Sequence, residues 1–186
     1  MNKALIVYGT RYGAAESTAK DIAEVLQNEG FHVKVVNAKE EKIRDVRDYQ
    51  LVIVGSGIQI HKWTGEAEKF LKDFQKELRR KKLALFVCCG SAQPLTEKED
   101  EKTKAPQEAR RKYLEEKAAK YGLKPVALGL FGGVYNFNKM PWWSKKVMQP
   151  LKTQLEAAGI KETKPGIYDT RDLQAIRNWT KQLAQQ

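Results

Sequence analysis

The amino-acid sequence predicts a doubly wound α/β fold in which five parallel strands lie in the order 2-1-3-4-5, with an insertion before the last helix. Three observations carry that prediction. Four apolar runs are continuous rather than alternating, helical apolar periods fall between them, and three loops rich in small residues follow the first, second and third runs.

The runs are Ala4–Tyr8, Leu51–Val54, Leu83–Cys88 and Val126–Leu130. Continuous apolarity marks strands covered on both faces, as in a parallel sheet. Val33–Val36, with Lys34 inside it and polar neighbours, suits an edge strand. Ala15, Ala19, Ile22, Ala23 and Leu26 repeat at helical spacing and end before Gly30, a stop signal. Ala67, Phe70, Leu71, Phe74 and Leu78 form a second stripe, and the basic run Arg79–Lys82 complements its C-terminus. Residues 106–121 read as a more solvated third helix, and Asp169 as the cap of a last helix carrying Leu173, Ile176, Thr180 and Leu183. A short turn at 41–46 links the second and third strands, and the mixed-charge stretch Thr96–Lys104 reads as a solvated loop. Residues 1–186 form one domain in this reading, with the insertion at about 132–168.

Composition bounds the function. No window approaches the roughly 20 apolar residues of a membrane-spanning helix, and the first apolar run is too short for a signal peptide. A cytoplasmic protein is expected. Its two cysteines, Cys88 and Cys89, are neighbours whose side chains point to opposite faces of a strand, so they staple nothing together and fit a reducing compartment. The formal charge of +11 attracts polyanions, anionic lipid or acidic small molecules, or simply keeps the protein soluble. A nucleic-acid partner would need basic residues concentrated with stacking aromatics, a combination that only the insertion faintly shows, and none is expected.

The sharpest local signal is Thr10-Arg11-Tyr12-Gly13-Ala14-Ala15, where a strand turns into a helix. Backbone N–H groups and the helix dipole there favour an anion. The loop lacks the Gly-Lys-Ser/Thr of a nucleoside triphosphatase and the G-x-G-x-x-G of a dinucleotide fold, so a monophosphate suits it better. In the predicted strand order it converges with Gly55-Ser56-Gly57-Ile58-Gln59 and with Cys89-Gly90-Ser91 at the C-terminal edge of the sheet, where such folds bind ligands. Trp63 either stacks on a ligand or anchors the following helix, His61 reads as a solvated loop residue, and His32 falls near the edge strand. No catalytic side chain and no metal site is expected.

These three loops resemble those of the flavodoxin-like family across essentially the whole chain. The resemblance implies flavin mononucleotide (FMN) as cofactor, with Thr10, Arg11, Tyr12, Gly13, Ala14 and Ala15 around its phosphate. It further implies Ser56, Gly57, Ile58 and Gln59 along the flavin, with Gly90 and Ser91 opposite. A peptide beside a flavin that changes redox state needs to turn over, and Gly57 tolerates both conformations. Within the fold, Thr10-Arg11-Tyr12-Gly13, Gly55-Ser56-Gly57-Ile58 and the long insertion resemble the menaquinone-dependent protoporphyrinogen IX dehydrogenase family. That resemblance implies protoporphyrinogen IX and a quinone as reaction partners. Gln59-Ile60 stands where those dehydrogenases carry Arg-Tyr, and Ala15 where flavodoxins often carry a hydroxyl. The insertion's Trp142, Trp143, Lys145 and Lys146 could face substrate or an anionic membrane surface, or the aromatics could pack on the domain itself. An electron carrier between protein partners is the alternative function. The basic charge argues against it, because ordinary flavodoxins are acidic.

Overall fold

The fold is taken from a computed structural model, which describes residues 2–139 and 142–186, with side chains described outside 142–148. Its long strands are β1 (Lys3–Gly9), β2 (His32–Asn37), β3 (Leu51–Gln59), β5 (Lys82–Cys88) and β6 (Ala127–Phe131), all parallel in the order β2-β1-β3-β5-β6. A two-residue strand, β4 (Lys62–Trp63), folds back on β3 outside that path. Counting long strands alone, the order is the expected 2-1-3-4-5.

Two-sided burial explains the continuous apolar runs. In β1, Leu5 and Val7 face one core and Ala4, Ile6 and Tyr8 the other; β5 repeats this with Leu83, Leu85 and Val87 against Ala84, Phe86 and Cys88. Helix α1 (Ala14–Asn28) and helix α7 (Leu173–Gln185) cover one face through Ala19, Ile22, Leu26, Ile176 and Leu183. The opposite face is covered by α2 (Gly65–Asp73), α3 (Gln75–Leu78), α4 (Glu99–Arg110) and α5 (Glu116–Lys120). Truncating a fully buried residue such as Leu71 or Leu85 to alanine costs about 2–5 kcal/mol in cores of this kind. Strand β2, hydrogen-bonded on one side only, alternates exposed and half-buried residues over His32–Val35 as an edge should, and buries Val36.

Helix α1 stops where the sequence says. Gly30 takes φ +84°, and the Phe31 N–H donates to the Leu26 carbonyl at 2.9 Å, satisfying a carbonyl that the helix leaves unpaired. Four expectations need correction. The stripe 67–78 is two helices broken at Phe74, whose φ of −106° leaves the helical range. The third helix starts at Glu99 rather than 106, so most of the mixed-charge loop is helical. Its Glu99, Asp100 and Glu101 favour the dipole, and Lys102–Glu99, Lys104–Asp100 and Lys98–Glu101 pair at helical spacing. One turn of π-helix, Arg111–Glu115, then joins α4 to α5. Finally, the α7 cap is Asp172, which accepts the Ala175 N–H at 2.9 Å, whereas Asp169 pairs with Arg171.

The insertion forms an antiparallel sheet, β7 (Val134–Asn136), β9 (Ile167–Asp169) and β8 (Glu162–Lys164), with helix α6 (Trp142–Ala157) between β7 and β8. Tyr168 is its centre. The side chain is fully buried, meets the Phe137 ring edge-on at 5.7 Å, and its hydroxyl lies 2.7 Å from Glu156 and 3.0 Å from Glu162. The side chains of Trp142, Trp143, Lys145 and Lys146 lie outside the described residues.

Candidate functional site

At the carboxyl edge of the sheet the loops after β1, β3, β5 and β6 enclose a cavity of about 450 Å³. The first loop is shaped by Gly13. Its φ of +98° turns the chain into α1 while its N–H donates to the Thr10 hydroxyl at 3.0 Å. That fold-back leaves the N–H groups of Arg11, Tyr12, Ala14 and Ala15 without an acceptor among the described residues. Unpaired amides at the start of a 15-residue helix form an anion cradle.

The second loop is a hairpin. Gln59 pairs with Lys62, and Ile60 and His61 between them both take positive φ, +47° and +59°, as a two-residue turn of matching twist requires. Positive φ strains a β-branched residue, and Ile60 is 83% exposed at the tip. Side chains hold the tip in place. His61 Nδ1 lies 2.9 Å from the Tyr113 hydroxyl, and Trp63 Nε1 donates to the Tyr113 carbonyl at 2.8 Å, both within the π-turn. Trp63 is therefore an anchor rather than a stacking platform. Across the cavity Gln59 Nε2 donates to the Tyr12 hydroxyl at 3.0 Å, joining the first two loops.

Among the sequence-predicted residues, Thr10, Arg11, Tyr12, Ala14, Gly57, Ile58, Gln59 and Gly90 line the cavity, with Gly13 shaping its cradle. Three others sit elsewhere. Ala15 is fully buried under the loop, and Ser91 is exposed beyond the lining. Ser56 is buried, donating to the Gly57 carbonyl and accepting the Thr64 N–H, each at 2.9 Å, so it braces the hairpin from below.

Besides Cys89, placed by the sequence in the third loop, the lining includes Ile60, Cys88, Gly133, Val134 and Tyr135, which sequence reasoning missed. The signal for the last three was present: they follow the fifth strand, and every parallel strand ends at the ligand edge. A buried polar chain fixes this wall. Gly133 N–H donates to the Thr170 hydroxyl at 3.0 Å, and the Thr170 N–H returns to the Gly133 carbonyl at 2.9 Å. Arg171, its side chain only 7% exposed, then pairs with Asp169 and with Asp21 of α1 at 2.8 Å each and donates to the Thr18 hydroxyl at 3.1 Å.

Burial pushes the Cys88 thiol up to about 12 and the Cys89 thiol up to about 11, so at neutral pH neither is a thiolate nucleophile. The mostly apolar space beside an anion cradle suits a ring carrying one phosphate. Free amides, a left-handed glycine and side-chain-free backbone at Gly57 and Gly90 together fit FMN.

Fold and site define a flavoprotein of the mononucleotide-binding α/β class. A family profile described as a flavodoxin domain matches residues 5–159, and the chain belongs to that family. As a member it takes FMN as its cofactor and is an electron-transfer flavoprotein. A flavodoxin of Maridesulfovibrio salexigens is 28% identical over 115 residues, covering 53% of this chain and 76% of its own. Solved structures share the fold at lower identity. A short-chain flavodoxin associated with a bacterial microcompartment superposes with TM-score 0.60 at 13% identity, over 100% of this chain and 98% of its own. Two-electron-reduced Megasphaera elsdenii flavodoxin gives 0.56 at 15%, over 98% and 99%. Rubredoxin oxygen:oxidoreductase of Desulfovibrio gigas gives 0.50 at 20%, over 98% of this chain but 37% of the enzyme. Among the described residues no helix is long and apolar enough to cross a membrane.

Proposed function

We propose that the chain is an FMN-dependent oxidoreductase that oxidises protoporphyrinogen IX and passes the electrons to a quinone. The observation that carries the proposal is the cavity wall supplied by the insertion. Gly133, Val134 and Tyr135 line the same cavity as Gly57–Ile60, so the insertion contributes to the wall around the cofactor space. FMN, when bound, supplies the transfer of one or two electrons. The chain's own residues do the rest. The free amides of the first loop would hold the phosphate, the hairpin and the Cys89–Gly90 turn would contact the ring, and the apolar lining would limit water. Net charge of +11 attracts porphyrinogen propionates, and Lys145 and Lys146 are the proposed contacts for these or for anionic headgroups. Salt-sensitive pelleting with anionic but not neutral vesicles is the expected sign of the latter.

An anaerobic assay following porphyrin fluorescence after addition of a menaquinone analogue tests the reaction. Each turnover removes a pair of hydrogens from the porphyrinogen and leaves the quinone as quinol. A rate above free FMN supports the enzyme, and deleting residues 133–146 should abolish it. Background rates together with fast electron exchange with a flavodoxin reductase would instead establish a carrier, a second reading favoured by the full-length superposition on flavodoxins.

A further inference from the structure

We propose that the Tyr135 hydroxyl is a hydrogen-bond donor to a ring carbonyl or ring nitrogen of the flat molecule bound in this cavity, which makes the insertion part of the binding site. The inference rests on the FMN-dependent reading. Tyr135 belongs to β7, and its side chain lines the cavity. Its hydroxyl, like those of Tyr8 and Tyr49, hydrogen-bonds to no described residue, but of these three only Tyr135 lines the cavity; Tyr12, Tyr113, Tyr121 and Tyr168 use theirs. Trp179 Nε1 is the one described side-chain nitrogen or oxygen that is both buried and unpaired, so the Tyr135 hydroxyl is open to the cavity rather than sealed, and a ligand there would replace water on it.

Its position is tightly set. A Cβ on Gly90 would lie 2.3 Å from the Tyr135 hydroxyl but 3.6 Å from the ring carbon bearing it, so the oxygen occupies the space that the glycine leaves open. Behind it, β7 pairs with β9, Tyr135 opposite Tyr168, and the Gly133–Thr170 bonds and Arg171 tie that pair to α1. The phenol also stays protonated. Burial first, and the neighbouring Cys89 thiol second, raise its pKa above the ordinary value of 10.0, so it can donate throughout the neutral range. Isoalloxazine and quinone both present acceptors of this kind, and the cavity floor at Cys89 and Gly90 lies beside the hydroxyl.

Tyr135→Phe keeps the ring and removes only the donor. FMN titrated into the apoprotein, read by quenching of flavin fluorescence, and menadione titrated into the holoprotein separate the two acceptors. Loss of one neutral hydrogen bond should weaken one of them about three- to tenfold. A weaker FMN titration assigns the hydroxyl to the flavin, a weaker menadione titration alone assigns it to the quinone, and no change in either overturns the proposal. Placement is tested separately. Gly90→Ala should impair FMN binding, and adding Tyr135→Phe should restore it to the level of Tyr135→Phe alone, because the ring carbon clears the new methyl group. Gly90→Ala binding like the wild type would show that the hydroxyl is not there. Wild-type FMN binding without porphyrinogen turnover would sink the proposed reaction while leaving the Tyr135 result readable.

Discussion

Replacing Gly13 should weaken FMN binding through backbone conformation alone. Its φ is +98°, and a Cβ built on it meets nothing within 4 Å, so no steric clash adds to the effect. An L-residue held in the left-handed region costs roughly 1–2 kcal/mol, with β-branched side chains at the upper end. The loop can retain its shape and lose that much stability, which for a chain of this size lowers the melting temperature by about 2–8 °C. It can instead rotate to negative φ. The Gly13 N–H then leaves the Thr10 hydroxyl and the amides of Ala14 and Ala15 turn away from the cradle. At about 1.4 kcal/mol per tenfold, Gly13→Val should lower FMN affinity roughly 5- to 30-fold. Gly13→Asn should be milder, since asparagine visits positive φ more readily. Fluorescence titration of each apoprotein with FMN, alongside thermal unfolding, reads both effects. Gly13→Val with wild-type affinity and an unchanged melting temperature would refute the cradle as described.

Two further expectations concern the frame around the site. Glu68 Oε1 accepts from Lys117, Lys120 and the Tyr121 hydroxyl at 2.9, 2.7 and 2.8 Å, tying α2 to the end of α5. Burial pushes its pKa up, but those three bonds outweigh it and hold the carboxyl at about 2 against an ordinary 4.5. The stabilisation is therefore complete above pH 4.5 and is lost as pH falls through about 2. The ceiling is ~3 kcal/mol, reduced to ~1–2 kcal/mol by screening at a side chain 26% exposed. Glu68→Gln should show that deficit in urea unfolding at neutral pH and approach the wild type near pH 2; an equal deficit at both would count against this origin. Arg171→Met should cost about 1.5–3 kcal/mol, because Asp169 and Asp21 lose their buried partner but, at 22% and 34% exposure, can rehydrate. Unaltered thermal unfolding would contradict the placement of that network.

The strand set was legible because two-sided burial writes itself as unbroken apolar runs, and the phosphate loop because a glycine followed by small residues stands between a strand and a helix. Other features depend on partners distant in sequence. Nothing local distinguishes Asp172 from Asp169 as a cap; Arg171, held by Asp21 150 residues away, decides which aspartate is free for α7. The charges of 96–104 look like a loop until they are placed at helical spacing. Trp63 could not be assigned as an anchor from sequence, since its acceptor is the Tyr113 carbonyl 50 residues on. The place of Tyr135 after the fifth strand was legible, since parallel strands end at the ligand edge. Only the packing of β7 against the Cys89–Gly90 turn shows that its hydroxyl meets Gly90.

The visible absorption spectrum of the purified protein, taken after incubation with FMN and removal of free flavin, tests the central claim most directly. The account predicts a yellow protein carrying equimolar FMN, with less FMN retained when Gly13 is replaced by valine. A colourless protein that leaves all of the FMN in the free fraction would contradict it.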